Sequence, residues 1–271
     1  MGPLQRLFRR VSPGSRELAI AAAAEPEDVF IPSSPLDPRE EDVERWNGEW
    51  LEYLSREWIY QLEPYTAFPD GGPLPEEPEA VRRHLMRPGW QLELHCEGSA
   101  IRGRRVMELG CGCGNLGKLL GRWVASYLGT DFSTLALQVA RLVSPPNCTY
   151  VHVADRERLA PWLGTVETVV SRYFWIHQNL QLARANLEFL GAFLVPGGRV
   201  YADFFAPDPR QEQFIVKKPD EPLSRRWPSA MFHYSPEDLQ RLVAGLPFRI
   251  VREQVAVETQ RRYVVLEREG G

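Results

Sequence analysis

Three carboxylic acids close three successive apolar runs. Glu108 is the penultimate residue of RVMEL, Asp131 ends SYLGTD, and Asp155 follows TYVHVA. An ionised carboxyl is purely an acceptor, and it can take hydrogen bonds from an ammonium, from hydroxyls or from an amino group. Between the first two acids lies a glycine-rich stretch, Gly110-Cys111-Gly112-Cys113-Gly114-Asn115-Leu116-Gly117. Glycine permits a tight backbone turn and lets a ligand approach where a Cβ would stand in the way. A helix beginning near Asn115 would offer unpaired N–H groups and the positive end of its dipole to a carboxylate or phosphate.

The elements that place these groups follow a regular rhythm from Arg104 onward. Strands are expected at 105–109, 126–130, 149–153, 168–173 and 199–204, with helices around 116–124, 134–142, 157–163 and 180–193. Such alternation implies right-handed βαβ crossovers and a parallel sheet covered on both faces. Ligands of open α/β sheets bind beyond the carboxyl ends of the strands, where the three acids fall. Near the C-terminus a helix at 236–244 has Ser235 as N-cap and Glu237 and Asp238 in its first turn. Two strands, 248–257 and 261–268, then follow without a helix between them, so they must pair as an antiparallel hairpin. Upstream, Glu40–Leu62 repeats Trp46, Trp50, Tyr53 and Leu54 at helical spacing. Prolines break the chain over 64–78, and a further helix is expected from Glu79 to about His95.

Two fingerprints overlap in the glycine loop. Residues 112–117 match GxGxxG, the dinucleotide pattern. Residues 108–114 match ExGxGxG, in which the acid at the strand end can face an ammonium and would repel a pyrophosphate. Asp131 suits the two hydroxyls of a ribose under either reading, whereas Asp155 adds a partner for an adenine amino group. Over 104–268, and most strongly over 106–155, the chain resembles class I S-adenosylmethionine-dependent methyltransferases. Leu194-Val195-Pro196-Gly197-Gly198-Arg199 is similar to the LxPGGR turn that precedes the family's fifth strand.

The resemblance implies an α/β fold: a Rossmann-like, seven-stranded, mostly parallel sheet with an antiparallel C-terminal strand, helices on both faces and an N-terminal helical lid. It implies S-adenosyl-L-methionine as cofactor. Gly110, Gly112 and Gly114 would cradle the methionine part, Glu108 its amino group, Asp131 the ribose and Asp155 the adenine. Cys111, Asn115, Phe132, Arg156 and Ser171 complete the implied cofactor-binding set. The reaction would be in-line displacement at the sulfonium methyl by an O, N or C nucleophile.

The acceptor side begins where the fourth strand runs into Ser171-Arg172-Tyr173-Phe174-Trp175-Ile176-His177. The Asn/Asp-Pro-Pro-Tyr signature of base amino-methyltransferases is missing here, and so is the paired-glutamate loop of protein arginine methyltransferases. A small-molecule acceptor remains. Tyr173 and His177 are the candidate catalytic side chains, since a histidine titrating near neutrality can take the nucleophile's proton. Against this, His177 can simply cap or pack beside the next helix, and Tyr173 can be core. The aromatic helix, with Trp46, Trp50, Trp58 and Tyr60, and the insertion 206–234, with Lys217, Lys218, Arg225, Arg226 and Trp227, are expected to cover the site; anchoring of the helix and a solvated loop explain them as well.

Composition bounds the rest. The 271 residues carry a net charge of −4, with 44% hydrophobic and 25% charged residues and a pI near 5.8. That gives no push toward nucleic acid. No apolar run approaches the roughly 20 residues of a membrane span. Residues 1–39 read as a Pro-rich, partly disordered tail, 40–103 as a helical cap, and 104–271 as the cofactor-binding domain. Arg6, Arg9, Arg10 and Arg16 admit a transit-peptide reading beside that of a disordered basic start. The four cysteines lack CxxC spacing, so neither a disulfide framework nor a metal site is expected, and a reducing, cytoplasmic setting fits. The oligomeric state leaves no mark on the sequence. Two rivals stand beside the methyltransferase reading: an NAD(P)-dependent oxidoreductase, and a methyltransferase-like protein that binds without catalysing.

Overall fold

Seven strands form the sheet on which the acids are mounted: β1 Arg105–Leu109, β2 Ser126–Asp131, β3 Cys148–His152, β4 Val166–Val170, β5 Leu194–Phe205, β6 Phe248–Ala256 and β7 Arg261–Arg268. Their spatial order is β6-β7-β5-β4-β1-β2-β3. Neighbours from β3 through β5 run parallel, and β7 alone is reversed, antiparallel to both β5 and β6. The computed structural model describes residues 29–30, 34–68, 72–85, 94–206, 216–224 and 231–270. The helices within them are α1 Glu40–Leu62, α2 Pro78–Leu85, α3 Gly117–Leu120, α4 Thr134–Val143, α5 Arg156–Leu159, α6 Leu180–Phe193 and α7 Pro236–Val243.

Alternation along the strands divides the core between two faces. Met107, Leu128, Val169 and Val200 pack against Leu187 and Leu190 of α6 and Leu239 and Leu242 of α7. Val106, Tyr127, Tyr150 and Tyr201 pack on the other face with Leu119, Leu137, Val81 and Leu85. Side-chain oxygens of Ser133, Asn179 and Ser235 cap α4, α6 and α7, the last in a reciprocal capping box with Asp238.

The structure departs from the expected elements where backbone geometry intervenes. The fourth strand stops at Val170 rather than 173; Tyr173 adopts φ 57°, a conformation outside the β region. Of the helix expected to reach His95, Pro78–Leu85 is helical and Leu94–Cys96 is not; residues 86–93 lie outside the described residues. The fifth helix is one turn, Arg156–Leu159, followed by a 3-10 turn at Ala160–Trp162. Within the expected tail, Val29–Phe30 pairs antiparallel with Leu223–Ser224. Arg6, Arg9, Arg10, Arg16, Arg225, Arg226 and Trp227 lie outside the described residues, as do the side chains of Trp58 and Tyr60.

Candidate functional site

The three acids stand at the carboxyl rim of adjacent strands. Glu108 is opposite Gly129 in the β1–β2 register, Asp131 is opposite His152 in β2–β3, and Asp155 lies three residues beyond that pair. Glu108 is buried and accepts a hydrogen bond from the Tyr127 hydroxyl. Burial pushes its pKa up to about 8, against the lowering effect of Tyr127 and of Arg172, and with a further rise from the neighbouring Asp131 charge. Such a carboxyl is poised to ionise when a cation is brought to it.

Asp131 is 8% exposed and braces the glycine loop. Its Oδ2 accepts from Gly112 N at 2.8 Å and its Oδ1 from Ser133 N at 2.8 Å. Burial raises its pKa, and these backbone donors oppose the rise. The Phe132 N–H acts on it as well, and a carboxylate has about four acceptor sites, so capacity remains for a hydroxyl donor. Asp155 is the N-cap of α5, accepting from Arg158 N at 3.1 Å. Arg156 donates to the Pro35 carbonyl at 2.5 Å, which ties it to the segment before α1.

The loop takes the backbone shape that glycine was expected to supply. Gly110, Gly112 and Gly114 have φ of 70°, 50° and 74°, and the N–H groups of Gly110 and Cys111 donate to Thr130 O at 2.9 and 3.0 Å. The space beside them is not left open, however: a Cβ on Gly114 would stand 2.8 Å from both the Ala140 methyl and the Tyr150 hydroxyl. A Cβ on Gly110 would stand 2.4 Å from the Phe174 ring, and one on Gly112 would stand 2.2 Å from Trp50. The glycines therefore also admit aromatic rings, which form walls of the rim.

Trp50 arrives on α1, which is stitched across the loop. Its Trp50 and Leu54 pack on Cys113, Ala136, Val139 and Val143. Asn47 accepts from Ser133 Oγ and Leu135 N at 2.9 and 3.0 Å, at the start of α4. Asn115 donates to Gln61 Oε1 at 2.7 Å, so its side chain serves α1. The buried Lys118 ammonium donates to the carbonyls of Gln61 and Glu63 at 3.2 and 3.0 Å, closing the C-terminus of the helix. Burial lowers its pKa to about 8, which the Glu63 charge resists.

On the other flank, Ser171 is buried and its Oγ accepts from the Trp175 indole. Phe132 meets His152 edge-on, with ring centroids 6.4 Å apart. His177 is half-buried in the 3-10 turn Trp175–His177, and the cap of the next helix is Asn179, two residues later. Tyr173 is half-buried too, packed with Ile176, Phe205 and Met231. Its left-handed backbone costs a non-glycine residue about 1–3 kcal/mol. Its N–H donates to both carboxylate oxygens of Asp203, at 3.0 and 3.1 Å. Asp203 faces Arg261, Nε to Oδ2 3.3 Å, and the Arg261 guanidinium lies 4.7 Å from the Tyr173 ring centre. Asp203, Arg261, Lys118, Asn47 and Tyr127 were not singled out in the sequence. An acid in the apolar YADFF and a lysine in LGKLLG were the available signals.

A doubly wound α/β sheet with one reversed strand defines the class: a Rossmann-like domain, whose carboxyl edge here carries the three acids and the glycine loop. No family model matches the chain, and no curated protein does. Among solved structures the chain is similar to an S-adenosylmethionine-dependent methyltransferase from Methanosarcina mazei, at 14% identity over 63% of this chain and 94% of that one, with a TM-score of 0.48. It is also similar to magnesium protoporphyrin IX methyltransferase from Synechocystis (20% identity, 62% and 72% covered, TM-score 0.43) and to a TehB-like S-adenosylmethionine-dependent methyltransferase from Corynebacterium glutamicum (15%, 62% and 82%, 0.45).

Proposed function

We propose that this protein binds S-adenosylmethionine at the rim of β1–β3 and transfers its methyl group to an O, N or C nucleophile of a small molecule. The observation that carries the reading is the buried Glu108, raised to about 8 beside a glycine loop that Asp131 holds by its backbone. An acid in that state gains most from an ammonium. At neutral pH it is largely protonated, so its preference comes from this gain and not from a standing repulsion of pyrophosphate. That refines the electrostatic contrast with a dinucleotide.

The cofactor's methionine end would lie along Gly110, Cys111, Gly112 and Gly114, with its amino group at Glu108. Its ribose would meet the remaining lone pairs of Asp131 beside Phe132, and its adenine would reach Asp155. When bound, the group supplies a methyl on a positively charged sulfur that leaves as a neutral thioether. The protein's own part is to hold acceptor and methyl in line and exclude water, with Trp50 and Phe174 walling the loop. His177 would take the nucleophile's proton where one must leave. We also infer a reducing, cytoplasmic setting, supported by four free cysteines, three of them buried; no described helix is long and apolar enough to cross a membrane.

The test is methyl transfer from methyl-labelled S-adenosylmethionine into a metabolite extract. Label appearing in a small-molecule product with wild-type protein, and not with Asp131→Ala, supports the reading. Cofactor binding with no labelled product would favour the non-catalytic rival.

A further inference from the structure

We propose that Asp203 and Arg261 are positioning residues that hold Tyr173 in its left-handed conformation, as a fixed wall of the acceptor side. This rests on the methyltransferase reading of the rim. Tyr173 is one of two described non-glycine residues with positive φ, and the other, Gln260, is in the turn of the terminal hairpin. The strained tyrosine instead lies three residues past the end of β4, and the next residue, Phe174, lies against Gly110 of the loop. Strain of this kind persists only where the surroundings over-determine it.

Here the surroundings do so from two strands. Asp203 comes from β5 and Arg261 from the start of β7, which pairs with Phe205. Both are buried. The carboxylate receives the Tyr173 N–H on both oxygens, and the guanidinium lies over the tyrosine ring while facing that carboxylate. Backbone and ring of one residue are thus held by the two members of one buried ion pair. A salt bridge serving only to join β5 and β7 would not need to engage a residue of β4's exit. Ile176, Phe205 and Met231 close the apolar side of the ring. Arg172 approaches the same ring, 5.2 Å from its centre. With the ring unable to turn away, an acceptor would meet a rigid surface next to the loop.

The test compares Asp203→Ala, Asp203→Asn and Arg261→Lys in the full chain, reading S-adenosylhomocysteine affinity by calorimetry and labelled methyl transfer into the extract. Asp203→Ala should leave affinity unchanged and cut transfer by at least about twentyfold, since misplacing a positioning group by an ångström can cost that much. Asp203→Asn keeps an oxygen for the Tyr173 N–H and should restore most of the rate. Arg261→Lys keeps the charge without the flat guanidinium, should give an intermediate rate, and serves if Asp203→Ala does not fold. Wild-type transfer rates in all three would overturn the proposal. Failure of the wild type to bind S-adenosylhomocysteine would instead defeat the methyltransferase reading. Where no acceptor in the extract is turned over, a stability cycle decides. The melting-temperature loss from Asp203→Ala should be smaller in a Tyr173→Gly background, because glycine needs no restraint at φ 57°; strictly additive losses would refute the restraint.

Discussion

Asp131 and Glu108 do different work with the same functional group. Asp131 is already engaged by the backbone N–H groups of Gly112, Ser133 and Phe132 and keeps acceptor capacity in hand. Asp131→Ala should therefore weaken S-adenosylhomocysteine binding by about 1.5–3 kcal/mol through lost charge-assisted hydrogen bonds. Calorimetry on folded protein checks it, and unchanged affinity would remove the ribose assignment. Glu108 carries the pH dependence. Its folded pKa, about 8, is above its ordinary value. The sign is that of a raised acid: the protonated form is favoured by folding, and that contribution is fully present below the ordinary carboxyl range and fades as pH rises through 8. Binding an ammonium requires the ionised form. Affinity for S-adenosylhomocysteine should thus climb with pH by up to roughly tenfold per unit between 6 and 8, with a proton released to buffer on binding. Glu108→Gln should abolish the slope. A slope that survives in Glu108→Gln places the titrating group elsewhere.

The strand ends were readable because apolar runs terminate in acids, and the reversed β7 because two strands meet with no helix to cross over. The capping residues Ser235 and Asn179 likewise act locally. What stayed hidden depends on contacts between distant segments. The expected openness of the glycine loop was corrected by Trp50 and Phe174, which reach Gly112 and Gly110 from α1 and from the exit of β4. No local pattern announces such a meeting. The turn at Tyr173 was hidden for the same reason, since tyrosine has no preference for positive φ and takes it here through Asp203 and Arg261. The seat of α1 on the loop is itself testable. Gly112→Ala forces a Cβ both into positive φ and into the Trp50 ring, and should cost about 1–3 kcal/mol in stability. Adding Trp50→Ala removes the ring contact but not the backbone strain. The double variant should therefore show a smaller increment from Gly112→Ala than the wild-type background does, measured by thermal unfolding. Equal increments in both backgrounds would mean that Trp50 does not rest on Gly112 in solution.

Across the whole molecule, the sheet brings Glu108, Asp131 and Asp155 to one rim while α1 is laid over the glycine loop between β1 and α3. On the reading proposed above, that convergence would separate a site for an amine-bearing adenosyl group from a dinucleotide fold that happens to carry GxGxxG. Mass action lets the whole chain report it: ligand at a hundredfold excess over its dissociation constant stabilises by about 2.7 kcal/mol. The decisive measurement is calorimetric titration of the full chain with S-adenosylhomocysteine and, separately, with NAD. Saturable one-to-one binding of S-adenosylhomocysteine and no binding of NAD is the expected result. Binding of NAD by a folded protein that leaves S-adenosylhomocysteine unbound would contradict it.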